Sequence, residues 1–163
     1  MAQPEISHLL DLLDEAYNRV AWHGPNLRGS IRGVTAREAT RSPRAGRHNI
    51  WEIVVHAAYW KYTVRRRLVG EKRGSFSQKG SNWFDRPLDR SEKAWRADVA
   101  LLDREHRRLR EAIAAFQPED LDRPARGSKT LARRLIGGIA FHDVYHAGQI
   151  QLIKKLSSGS GSG

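Results

Sequence analysis

The chain contains no cysteine. Disulfides, thiolate metal ligands and a cysteine nucleophile are therefore excluded, and any bound metal must be held by His, Asp or Glu. No run of 18 apolar residues occurs, so nothing reads as a membrane span. Strand-like alternation of apolar and polar residues is almost missing, which argues against a sheet. The opening stretch MAQPEISHLLDLLDEA is acidic and amphipathic rather than basic, unlike a secretory signal, and a cytoplasmic location is the expectation.

What is abundant is positive charge. The 163 residues carry a formal net charge of +11, and arginine supplies 22 of the 29 basic residues. Such a balance permits binding to nucleic acid or other acidic surfaces. The arginines are nevertheless spread through 28–47, 65–67, 104–110 and 123–134, and no zinc-finger spacing, RNA-recognition signature or basic-region heptad accompanies them. A solvated arginine-rich surface is the preferred reading, with nucleic acid not expected as a partner.

The length fits one domain with a full core. Helical periodicity appears in four places. The first helix begins near Pro4, a favoured first-turn position, and its apolar stripe of Ile6, Leu9, Leu10, Leu13, Tyr17 and Val20 predicts a helix to about His23, where Gly24 and Pro25 break it. Residues 24–47 are poorly periodic, with a short helix predicted at 35–40. The second long helix is predicted from about His48, taken as its cap, to Val69. Residues 70–90 read as a long connection, and Ser91 is a plausible N-cap for the third helix, whose seam runs Trp95, Val99, Leu102, His106, Leu109, Ile113 and Phe116. The fourth long helix is predicted over about 130–156. The terminal SSGSGSG has the composition of a flexible appended linker, which places the domain at 1–156 and the linker at 157–163.

Four amphipathic helices predict an all-α four-helix bundle. A 20-residue link between the second and third, up to about 66 Å long when extended, can run past a helix of about 33 Å and restart at the same end. The expected topology is up-down-down-up.

The chemistry lies in the last helix. Positions 132, 135, 139, 142, 146, 149, 153 and 156, alternating steps of three and four, read Ala, Leu, Ile, His, His, Gln, Ile, Leu. This is a core seam interrupted by three polar side chains. Burying each without a partner costs roughly 1–3 kcal/mol, so the cluster needs compensation. His142 and His146, four apart, point the same way and rise about 6 Å, within reach of one ion. His56 stands at nearly the same height on the second long helix if that helix is antiparallel to the last. Three imidazoles leave at least one position for water or substrate; Zn²⁺ is the first expectation, with Ni²⁺, Fe²⁺ or Cu²⁺ also compatible. The alternative is a hydrogen-bonded polar layer that fixes helix register without metal.

Further residues have candidate roles. His106 is a candidate outer partner of the site or a core histidine at its boundary. Glu52, one turn before His56, is a weak candidate general base, or a rim carboxylate. Trp60, one turn past His56, is a candidate substrate-pocket wall. Arg44, Arg47, Trp83 and Phe84 are candidates for a substrate rim. His8 and His23 lie outside the core pattern and receive no role.

The segment HNIWEIVVHAAYW and the later HDVYHAGQIQLI resemble the DinB/YfiT-like superfamily of metal-binding four-helix bundles. The resemblance runs from LLDEAY to QLIKKL and is most specific in HDxYHxGQ, carried by His142, Asp143, Tyr145, His146, Gly148 and Gln149. It implies a metal triad of His56, His142 and His146. Asp143 and Gln149 are candidate outer groups orienting imidazole N–H bonds, the alternative for Asp143, one step off the seam, being a solvent-facing position. A homodimer is implied too. Relatives include low-molecular-weight-thiol S-transferases, a thiol-dependent isomerase and metal-dependent hydrolases. The resemblance does not fix the reaction; the first expectation is a metal-dependent transferase using a small cellular thiol on a small-molecule substrate, with hydrolysis, or a non-enzymatic metal-binding bundle, as alternatives.

Overall fold

The computed structural model describes residues 3–159. Among them all regular structure is helical, apart from one antiparallel bridge between Pro124 and Leu131. Six α-helices follow in order: α1 Pro4–Tyr17, α2 Leu27–Ser30, α3 Ala36–Ala39, α4 Ile50–Val69, α5 Glu92–Ala114 and α6 Ala132–Gly159. A 3₁₀ turn, Pro118–Asp120, lies between α5 and α6.

α1 stops about six residues before the predicted end. The N–H groups of Asn18 and Arg19 both donate to the Asp14 carbonyl, at 2.9 and 2.8 Å, which closes the last turn. Val20, the last residue of the predicted stripe, is 98% exposed and so faces water, as does Trp22, 100% exposed. The turn has a packing reason, because it returns Leu27 and Ile31 to the core. It also creates α2, which the sequence pattern missed; the Asn26 side chain accepts from Gly29 N–H at its start.

α3 forms where the short helix was predicted, fixed by a capping box between Thr35 and Glu38. α4 is capped by Asn49 and not by His48. The Asn49 side chain accepts from Glu52 N–H at 2.8 Å and Glu52 accepts from Asn49 N–H at 2.9 Å. Asparagine presents a carbonyl oxygen at the length a cap needs, whereas an imidazole does not. Gly70, with φ of +73°, closes α4 in the left-handed region. Ser91 caps α5 as expected. Asn49→Ala should cost about 1 kcal/mol, seen as a lower urea midpoint with unchanged slope. α6 continues past the predicted domain end through Gly159; the rest of the presumed linker, 160–163, lies outside the described residues.

The four long helices enclose the core. α4 packs on α5 and α6, and α1 packs on the same two from the other side. Trp51 on α4 donates to Asp98 on α5 at 2.7 Å, and its ring meets Trp95. Tyr17 on α1 is bonded to Asp103 on α5, while Arg110 of α5 pairs with Asp14 at 3.0 Å. Glu5 of α1 pairs with Arg133 at the start of α6. The 70–90 connection has no helix, as expected, yet part of it belongs to the core. Phe84 is buried against Tyr59 and Phe76, which removes it from the list of rim residues.

Candidate metal centre

α4 and α6 bring His56, His142 and His146 together. The Nε2 atoms of His56 and His146 each lie 3.1 Å from His142 Nε2, and one ligand atom from each ring lies within 4.8 Å of the others. His56 and His146 are buried and His142 is half-buried.

Their outer hydrogen bonds fix which nitrogens face inward. His56 Nδ1 lies 2.8 Å from the Asn82 carbonyl, a pure acceptor, so Nδ1 carries the proton. His146 Nδ1 lies 2.7 Å from Gln149 Oε1, and the Gln149 amide group donates in turn to Tyr145 Oη at 3.1 Å. These partners assign the tautomers by network logic. Both Nε2 atoms then present lone pairs to His142 Nε2. A proton there would meet two acceptors and leave His142 Nδ1 as a lone pair without a partner; that nitrogen is buried and has none among the described residues. A proton on Nδ1 leaves three lone pairs converging. A cation relieves this arrangement, so the donor set fits a divalent ion held by three imidazoles.

The rings are also neutral at ordinary pH. Burial lowers the pKa of His56 to about 4 and that of His142 to about 3, with repulsion from neighbouring imidazoles acting in the same direction. Burial lowers His146 as well, against its hydrogen bond to Gln149. Neutral imidazole is the ligating form.

Aromatic walls surround the triad. Trp83 is stacked between two histidines, 3.8 Å from His56 at 8° and 3.6 Å from His48 at 4°. Trp60 stands edge-on to His56 at 6.4 Å and tilted to His142 at 6.3 Å, and it does not line the pocket beside His146. Its Nε1–H donates to Asn82 Oδ1 at 2.9 Å. Asn82 therefore orients one presumed ligand through its backbone and one wall through its side chain, from a φ of +64°. Asparagine is the non-glycine residue that most readily accepts that conformation. Sequence reasoning overlooked it; the signal was an Asn beside Trp in a Gly- and Ser-rich connection facing a histidine that needed an Nδ1 acceptor.

Other candidates fall elsewhere. Gln149 Oε1 lies 2.7 Å from His146 Nδ1. Asp143 does not orient an imidazole: it is fully buried in an ion pair with Lys61, because burying that ammonium demands the nearest carboxylate. His106 lies away from the triad, stacked 3.7 Å from the Tyr17 ring with Nε2 3.7 Å from Asp14. Glu52 is committed to the α4 cap and to His48 Nδ1 at 3.2 Å, which removes it as a base facing the triad. Arg47 borders a pocket next to His146.

The buried imidazoles set an acid limit. Burial also lowers His106 to about 2. A histidine whose folded pKa lies below its unfolded value of 6.5 contributes stability that is complete above pH 6.5 and is lost as pH falls toward the folded pKa. Asp143, raised by burial to about 6, acts in the opposite sense as pH drops below that value. The histidines outnumber it. The urea midpoint of metal-free protein should therefore fall steadily from pH 7 to pH 4; a midpoint that rises over that range would contradict the burial of neutral imidazoles.

Comparison with known proteins is consistent with this geometry. No curated protein and no solved structure matches the chain. The family model of the DinB superfamily matches residues 19–150, a span that holds all three histidines together with Asn82 and Gln149. The match covers most of the chain, which belongs to the DinB superfamily.

Proposed function

We propose that this protein is a metal-dependent enzyme that transfers a small cellular thiol to an electrophilic small molecule. His56, His142 and His146 would hold the ion, with Zn²⁺ the first candidate and Ni²⁺ or Fe²⁺ the others. A divalent ion there supplies a Lewis acid that lowers the pKa of a thiol or of water. The observation that carries the reading is the makeup of the site. Three imidazole nitrogens converge and, among the described residues, no carboxylate joins them. Glu52 and Asp143 are engaged by Asn49 and by Lys61. Hydrolysis is best served by a poised general base, whereas a thiol acidified by the ion attacks without one. Asn82 and Gln149 keep the outer nitrogens of His56 and His146 protonated and their inner ones free. Trp60 and Trp83 limit water around the triad.

The same reading includes three expectations. The long helices run up-down-down-up, supported by the antiparallel contacts of α1 with α5 at Asp14–Arg110 and Tyr17–Asp103 and of α4 with α6 at His56–His146 and Lys61–Asp143, and by Glu5 of α1 meeting Arg133 at the start of α6. The chain forms a homodimer, for which Phe141, 71% exposed on α6, offers a contact. It works in the cytoplasm; no helix of the described residues is long and apolar enough to cross a membrane.

Elemental analysis of the purified protein, followed by turnover screens with and without small thiols, tests the proposal. Stoichiometric metal with thiol-dependent turnover that disappears in His56→Ala is expected. Metal-dependent turnover without thiol dependence would move the reading to hydrolysis. No metal uptake under loading conditions would leave a polar layer that fixes register.

A further inference from the structure

A pocket of about 260 Å³ adjoins the triad and shares two walls with it, His146 and Trp83. Its body is apolar, formed by Ile53, Leu152 and Ile153 with the Trp83 ring. A dry apolar cavity of about 150 Å³ takes a benzene-sized ligand, so this volume suits one ring or a branched chain of similar bulk plus a short extension. The charge is one-sided. Arg47 is the one lining residue that carries a permanent charge, and no carboxylate lines the pocket. Among the described residues, salt bridges occupy many of the arginines, but Arg47 has no acidic partner and is exposed at the pocket edge. His48 is already held by Glu52 and the Trp83 ring. Arg47 is thus the group with donors to spare, and a guanidinium matches a carboxylate with two parallel hydrogen bonds.

We infer that this pocket binds a small amphipathic carboxylate, with its apolar body against Ile53, Trp83 and Leu152 and its acid on Arg47. As a statement about the substrate class of the enzyme the inference rests on the function proposed above; as a statement about binding it does not. The pocket lies on the C-terminal side of His146 along α6, so the far end of such a ligand is directed toward the triad.

The test compares 3-phenylpropanoate with the neutral 3-phenylpropan-1-ol by titration calorimetry and amide chemical-shift mapping, in buffer free of other carboxylates. The acid should bind at least tenfold more tightly, with shifts centred on Ile53, Trp83 and Ile153. Arg47→Gln should erase that preference while leaving the alcohol unchanged. Leu152→Glu should abolish binding of both, since it fills the apolar wall with charge. Both positions are exposed, and circular dichroism checks that each variant folds. Equal affinity for acid and alcohol, no binding of either, or an unchanged preference in Arg47→Gln would overturn the inference. So would loss of self-association in Leu152→Glu without any acid binding by the parent, which would make the pocket an interface between copies. Repeating the titration on chelator-treated protein and on His56→Ala separates the two readings. Selective acid binding that persists there, in a chain found to take up no metal, would uphold the pocket and defeat the proposed function.

Discussion

His146→Ala is expected to lose its metal outright, with affinity falling by more than the ~10–100-fold that removal of an outer hydrogen-bond partner costs. The reason is geometric. Its Nε2 is one of three lone pairs that converge, and its Nδ1 is already anchored on Gln149. Competition against a chelator measures the loss directly. His142→Leu is expected to behave in the same way toward metal but in the opposite way toward stability. In the metal-free protein His142 Nδ1 is a buried polar atom without a partner among the described residues. Such an atom costs about 1–3 kcal/mol, so a leucine there should raise the urea midpoint while abolishing metal uptake. Opposite signs from one substitution would separate a binding site from a structural polar layer, because a layer would lose stability when its central member is removed. Retention of stoichiometric metal in His146→Ala would sink the centre described above.

The largest effect on folding is expected at Lys61. Its ammonium is fully buried and bonded to Asp143, which is fully buried as well. Its Nζ lies 4.7 Å from the centre of the Tyr17 ring, and Asp143 Oδ1 has no partner among the described residues. Burial lowers the pKa of Lys61 and raises that of Asp143, and their mutual attraction opposes both shifts. Lys61→Met leaves a buried carboxylate without its cation and should cost about 3–5 kcal/mol, a large share of the ~5–15 kcal/mol that keeps a domain folded. The double variant Lys61→Met with Asp143→Leu removes both charges and should recover most or all of that loss. Urea unfolding of the two singles and the double closes the cycle. Additive losses would show that the pair is not coupled.

These two sites differ in how far the sequence disclosed them. The triad was legible because its histidines broke a seam of step three and four on α6, and because His56 falls at matching height on α4. Lys61 was equally available to that count: Val54, Ala57, Lys61, Val64 and Leu68 step by three and four. Asp143 belongs to a second such row, Ile136, Ala140, Asp143, Ala147 and Ile150. A charged residue in a helix is easily taken for a surface one, and only the coincidence of the two rows reveals an ion pair. The end of α1 was illegible for another reason: periodicity continues through Val20, while the turn that stops the helix comes from tertiary demand for Leu27 and Ile31 in the core. Asn82 lies in a connection with no periodicity at all, so its place beneath His56 depends on how the chain between α4 and α5 packs.

That last placement bears on whether the site is portable. Three histidines at this spacing can be written onto the facing helices of any bundle, yet here the proton on His56 is assigned by a carbonyl from the connection, with an indole ring stacked on the imidazole's face. A graft of the helices alone would carry the ligands without the instruction that tells one of them which nitrogen to offer. The smallest transferable unit of this histidine cluster is therefore two helices together with the strap at Asn82 and Trp83.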